Sequence, residues 1–254
     1  MRIIIWIAVV LLIGPVVAMA GSAPPDFSGV YYPLSEGPPP GGPQPARARG
    51  EPPSPPTQTA PLSDGSRGRP ANLPPLTKPY LAKWDLVAKS RTAGSSEFDV
   101  AAHCLPPGMP YMMTMHYGME IMQTPDKITF FSEWLDALRR VYLDGRKATR
   151  KELDDPTYAG FSTGHWEGDT LVVETVALRA DVPLDGNYAE RSAHSKIWER
   201  MRLVEPTLLE DEITVTDPEA LTRAWVVKRR YRKAVPPNDQ LREFACAEGL
   251  DHAK

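Results

Sequence analysis

The chain has 254 residues, with 29 Lys and Arg against 32 Asp and Glu for a formal net charge of −3. That balance points to no polyanionic partner and argues against a nucleic-acid role. With only two cysteines, Cys104 and Cys246, there is no dense disulfide scaffold and no CxxC pair for redox or metal chemistry.

At the start of the chain, Arg2 precedes an apolar run from Ile3 to Val17, broken by Gly14 and Pro15 and followed by Ala18-Met19-Ala20. This is the pattern of a secretory signal peptide cleaved after Ala20, so residues 1–20 are expected to be removed. The run falls short of the about 20 apolar residues that a membrane span needs, and no stable membrane span is expected later in the chain. No cysteine follows the cleavage point to carry a lipid. The expected destination is the periplasm or the exterior, where Cys104 and Cys246 read as one structural disulfide.

Residues 21–76 form a proline-rich leader, with stretches such as Gly37-Pro38-Pro39-Pro40-Gly41-Gly42-Pro43 and Glu51-Pro52-Pro53-Ser54-Pro55-Pro56. Such a composition buries too little apolar surface to offset its ordering entropy. One apolar island inside it, Asp26 to Tyr32, is suited to dock on the folded part as a short strand. Residues 77–254 are expected to form a single β-rich domain. It opens with one amphipathic helix of about four turns, in which Thr77 caps, Pro79 sits early, and Tyr80, Leu81, Trp84, Val87 and Ala88 recur until Gly94.

Strand patterns follow at Ile128–Phe131, Leu138–Leu143, Leu171–Val176, Lys196–Val204, Leu208–Thr216, Ala224–Ala234 and Leu241–Cys246, with His165-Trp166 leading into a Glu167-Gly168-Asp169 turn. About seven or eight strands with little room for crossover helices predict an antiparallel, lipocalin-like meander closed into a β-barrel, with a two-sheet sandwich as the alternative. In the segment from Ala224, the residues Trp225, Val227 and Tyr231 share one face while Lys228, Arg230 and Arg232 share the other. The basic cluster Lys228, Arg229, Arg230, Arg232 and Lys233 reads as a solvated strand face.

The stretches Cys104-Leu105-Pro106-Pro107-Gly108-Met109-Pro110, Gln123-Thr124-Pro125, Trp166-Glu167-Gly168-Asp169-Thr170-Leu171-Val172-Val173-Glu174-Thr175 and Glu199-Arg200-Met201-Arg202 resemble a family of exported bacterial proteins of unassigned function. The resemblance covers most of the globular part. It implies export and a shared β-rich fold, and brings no chemistry with it. The family pattern has His where this chain has Phe161 and Arg where it has His165, which puts a role for a histidine at either position in doubt.

Three readings compete for function, and none implies a cofactor. The first is a barrel that binds a small apolar or aromatic molecule against Met112, Met115, Tyr117, Trp166, Trp198 and Trp225. The second is a lyase, isomerase or hydrolase on the same scaffold, with His116, His165 or His194 as base and Glu167 or Glu199 as partner, because histidine titrates near neutrality and a carboxylate fixes its tautomer. Strand alternation puts His194 and Trp198 on one face and Glu199 on the other, which separates that pair. The third is Cu(I) handling by Met109, Met112, Met113, Met115 and His116, since thioether sulfur is a soft ligand; the irregular spacing favours an apolar wall instead. No G-x-S-x-G elbow, phosphate loop or zinc spacing is present.

Overall fold

The computed structural model describes residues 23–34, 69–70, 72–236 and 238–246. The expected signal peptide and most of the proline-rich leader lie outside the described residues. Nine strands close into one barrel in chain order: β1 (Gly29–Pro33), β2 (Met119–Thr124), β3 (Lys127–Ser132), β4 (Ala137–Tyr142), β5 (Phe161–Glu167), β6 (Thr170–Val176), β7 (Lys196–Glu205), β8 (Leu208–Thr216) and β9 (Trp225–Lys233). β9 pairs back onto β1, so the barrel, and not the sandwich, is the form adopted.

Local chemistry explains the hairpins. Between β2 and β3 the Thr124 hydroxyl donates to Asp126 Oδ1 at 2.7 Å, tying the tight turn. Between β5 and β6, Glu167 faces Thr170 across a two-residue turn in which Gly168 takes φ +64°, a left-handed conformation that glycine adopts without penalty. β7 alternates cleanly, with Ile197, Glu199 and Met201 buried and Lys196, Trp198, Arg200 and Arg202 exposed. A one-residue slip would invert that pattern, which fixes the register.

The island strand β1 occupies its place in the sheet as expected. The predicted helix is α1 (Lys78–Thr92), which buries Tyr80, Trp84 and Val87. Trp84 Nε1 donates to the Asn187 carbonyl at 2.8 Å, and the Thr77 hydroxyl donates to the Glu219 carbonyl at 2.8 Å. The helix is thereby fastened to two interstrand loops. Two short helices complete the fold, α2 (Tyr111–Thr114) and α3 (Arg150–Asp154).

Four sequence expectations are corrected. The meander is not antiparallel throughout: β4 and β5 run parallel, paired only at Val141 with Ser162 and Tyr142 with Thr163. Part of the methionine-rich segment is strand β2. Leu241–Cys246 forms no strand. It runs instead as a tail, where Tyr32 Oη donates to the Gln240 carbonyl at 3.2 Å, Arg242 N donates to Glu133 Oε1 at 3.2 Å, and a disulfide joins Cys246 to Cys104 with Cα atoms 5.8 Å apart. Finally, Arg229 is not part of a solvated basic face: it shares the inward parity of Trp225, Val227 and Tyr231 on β9 and is half-buried.

The CLPPGMP stretch has a structural explanation. Gly108 has φ +69°, and a Cβ there would lie 2.7 Å from the Tyr158 carbonyl, so only glycine fits. The next residue, Met109, donates its N–H to that same carbonyl at 3.0 Å. Arg191 fastens the crossing: Nη2 donates to the Tyr158 carbonyl at 3.0 Å, Nε to the Arg179 carbonyl at 2.9 Å, and Nη1 to the Met109 carbonyl. Burial lowers the Arg191 guanidinium to about 9.

Candidate functional site

The barrel interior is packed with apolar side chains, among them Ile121, Ile128, Phe130, Val141, Leu171, Ile197, Leu209 and Ile213. Charged groups sit within that apolar wall. Arg139 on β4 and Glu199 on β7 are 1 % and 0 % exposed, and Arg139 Nη1 donates to Glu199 Oε1 at 2.8 Å while Nη2 donates to Oε2. The same guanidinium reaches Ser162 Oγ at 3.2 Å and Thr175 Oγ1 at 3.1 Å. Ser162 and Thr175 hydroxyls lie 2.8 Å apart. This cluster is complete: each acceptor has its donor.

A second interior pair is incomplete. Asp211 on β8 faces Arg229 on β9 in the ladder, yet both carboxyl oxygens of Asp211 and Nε of Arg229 are buried without a hydrogen-bond partner. Arg229 Nη2 donates to the Met115 carbonyl at 3.4 Å, and the neighbouring Tyr231 Oη donates to the Met113 carbonyl. Burial, and then the charge of Glu199, hold the Asp211 carboxyl well above the usual carboxylate range against the pull of Arg139 and Arg229. Such a group favours folding at low pH, where it is protonated in both states. Stability is lost as pH rises above the unfolded value of roughly 3.9, because the folded state keeps a proton that the unfolded chain releases. Asp211→Asn is therefore expected to flatten this loss and raise the melting temperature at neutral pH. Thermal unfolding across pH checks it, and an unchanged pH profile would mean that Asp211 is already ionised in the fold.

Two clefts open beside these groups. β1 pairs with β9 only from Tyr31–Pro33 to Tyr231–Lys233, so the first part of β9 has no strand neighbour on that side. A cleft of about 630 Å³ lies along it, with Trp225, Val227, Met115 and Arg229 in its lining. Asp185 also lines it, and burial raises that carboxyl to about 6 against hydrogen bonds from Asn187. The second cleft, about 480 Å³, lies at the β4/β5 seam and is lined by Met112, Ala137, Arg140, Tyr142, Tyr158 and Phe161 among others.

The residues singled out from sequence are dispersed. His116 is exposed and stacks on Tyr117 with ring centroids 4.5 Å apart. His165 is exposed with Nε2 lying 3.3 Å from Glu167 Oε1, and Glu167 also pairs with Arg200 at 2.9 Å. His194 is exposed, with Nδ1 lying 3.1 Å from Glu219 Oε2. No two of these histidines share a cavity with Glu199, which sits inside the barrel.

Of the aromatic and methionine residues, Met115 and Trp225 line the larger cleft and Met112 the seam. Trp166 packs edge-on against Phe27 at 5.1 Å. Tyr117 stacks on Trp134 at 5.6 Å, and Trp198 lies on the outer wall, 42 % exposed. The five candidate copper ligands are divided, with Met109, Met112 and Met113 buried, Met115 half-buried and His116 exposed. Among the described residues no group of three or more His, Cys, Asp or Glu is arranged to hold a metal ion, and no described helix is long and apolar enough to cross a membrane.

Arg139, Asp211 and Arg229 were missed from sequence, though their parity with apolar neighbours on β4, β8 and β9 was available. No protein-family model matches the chain, and no curated protein matches it. Among solved structures it resembles crystal structures of the fluorescent protein UnaG, wild type and variants, at 18 % identity and a TM-score of 0.28. The matches cover 46 % of this chain and 70 to 72 % of UnaG. A likeness at that score carries no functional argument, and the barrel stands on its own strand pairing.

Proposed function

We propose that the protein is an exported β-barrel of the family carrying the CLPPGMP and WEGDTLVVET motifs, and that it binds a small apolar or aromatic molecule in the cleft beside β9. The observation that carries this reading is the cleft itself. Its volume of about 630 Å³ falls in the range of small-molecule sites. Trp225, Val227 and Met115 supply apolar surface, and His116, Asp185, Asn187, Arg223, Lys228 and Arg229 supply polar and charged groups around it. Apolar surface set beside several polar and charged groups can hold the body of a small ligand by burial while the polar groups fix its orientation. The signal-peptide pattern and the single disulfide support work outside the cytoplasm.

Native mass spectrometry of the protein purified from the cell envelope, beside the same protein denatured, stripped and refolded, tests the reading. A discrete organic adduct in the first sample alone is expected, and Val227→Trp, which projects a large ring into the cleft, should remove it. Bare protein in both samples, or an adduct that survives Val227→Trp, would overturn the assignment of this cleft.

A further inference from the structure

We infer that the ligand is an apolar molecule bearing a single carboxylate, and that this carboxylate is held between the carboxyl of Asp211 and Nε of Arg229. The inference rests on the binding function proposed above and specifies the chemistry of its ligand.

Geometry comes first. Asp211 and Arg229 are direct partners on adjacent strands, and both turn inward. Three polar atoms on these two side chains, Asp211 Oδ1 and Oδ2 and Arg229 Nε, are buried without any hydrogen-bond partner. An orphaned buried polar group costs on the order of 1–3 kcal/mol. Three such atoms on two facing side chains mark a place where another polar group belongs. Arg229 also lines the cleft, so a ligand with its apolar body against Trp225, Val227 and Met115 can present a polar end to it.

Charge then selects the group. The groups that face Asp211 are Glu199 on β7, Arg139 on β4, and Arg229 and Tyr231 on β9, with Glu212 adjacent on its own strand. Arg139 and Glu199 neutralise each other in a bidentate pair. Tyr231 Oη donates its hydrogen bond to the Met113 carbonyl, and Glu212 pairs with Lys228 on the outer face at 2.8 Å. Burial and then the charge of Glu199 push the Asp211 carboxyl up, toward its protonated form. Arg229 is therefore the one interior cation of this set with no counter-ion. A monoanion balances it, whereas a neutral ligand or a lone water satisfies hydrogen bonds and leaves the charge. A carboxylate accepts from Arg229 Nε–H through one oxygen and from the Asp211 O–H through the other, so Nε and the protonated Asp211 oxygen gain partners and the Arg229 charge is balanced, leaving only the Asp211 carbonyl oxygen as an acceptor.

A carboxylate bound by arginine alone holds its affinity once the ligand is ionised. One that also needs the Asp211 proton loses affinity as pH rises through the Asp211 titration, because two carboxylates then face each other.

The test uses a matched fluorescent pair, dansylaminoundecanoic acid and its methyl ester, titrated into the protein. The acid is expected to bind about tenfold or more tightly than the ester, equivalent to about 1.4 kcal/mol, with a preference that shrinks at high pH. Arg229→Gln should level the two probes, Arg229→Lys should keep the preference, and Asp211→Asn should keep it while removing its pH dependence. Should Arg229→Gln fail to fold, the lysine and asparagine variants and the pH profile carry the test. Equal binding of acid and ester by the parent overturns this inference and leaves small-molecule binding intact. Binding of neither probe overturns both, and a preference that survives in folded Arg229→Gln places the carboxylate elsewhere.

Discussion

Arg139→Met is expected to lower the free energy of unfolding by about 3–5 kcal/mol, the range for removing one partner of a buried ion pair. Methionine fills much of the arginine volume, so the loss comes from what is left behind. Glu199, fully buried, keeps a carboxylate whose two strongest donors were Nη1 and Nη2 of Arg139. Ser162 and Thr175 lose the guanidinium as well. The position matters because Arg139 on β4 reaches β5, β6 and β7 from the inside at the junction where backbone pairing is thinnest, two residue pairs. Chemical denaturation of the parent, Arg139→Met, Glu199→Gln and the double variant checks this. The double variant should recover most of the loss, since a neutral amide among apolar neighbours replaces a lone charge. A single variant with an unchanged midpoint would show that the pair contributes nothing at the seam.

Cys246→Ser is expected to have the next largest effect. The disulfide spans 142 residues, enclosing every strand from β2 to β9, and closing so long a loop is worth about 4–5 kcal/mol on the chain-entropy model, an upper figure for real proteins. The loss has a local part too. The tail that Cys246 anchors carries Phe244, packed against the cluster of Val100, Tyr111 and Trp134. Without the covalent tie the tail should detach before the barrel unfolds. The expected result is a lower denaturation midpoint together with rapid proteolysis confined to residues 238–246. Equal midpoints for oxidised and reduced parent protein would mean that the tail contacts suffice without the bond.

Much of the barrel was legible because alternation is a strong signal where one face is wet. β7 and β9 read correctly at most positions, as did the island that became β1, the span of helix α1 and the Gly168-Asp169 turn, whereas the Thr77 hydroxyl does not cap the helix and donates to the Glu219 carbonyl instead. The cysteine pair followed from its count. A charged residue in a strand is expected to face water, and that expectation outweighed parity at Arg229; Arg139 was given no face, though both lie in phase with apolar neighbours. Trp198 shows the reverse. Alternation placed it on one face with His194, Lys196 and Arg200, opposite Glu199, and its aromatic character suggested a ligand wall. The structure sides with alternation. The scatter of His116, His165 and His194 was not readable, since periodicity orders residues within one element and says nothing of how separate elements meet. The parallel β4/β5 pair left a trace in the long connection between Tyr142 and Phe161, far beyond the two to five residues of a hairpin loop.

That single parallel junction makes the barrel a joint between two pieces. β1 to β4 and β5 to β9 are each joined internally by antiparallel pairs, and backbone strand pairing joins the two sets only where β4 touches β5 and β9 touches β1. A cut in the connection between Leu143 and Arg150 severs no strand. With the Cys104–Cys246 disulfide reduced, it would yield two fragments, one carrying Arg139 and the other Glu199, so each half brings one charge of the interior pair and neither can satisfy it alone. The chain thus contains its own criterion for correct assembly: the guanidinium and the carboxylate lose their water at acceptable cost only when the right halves come together.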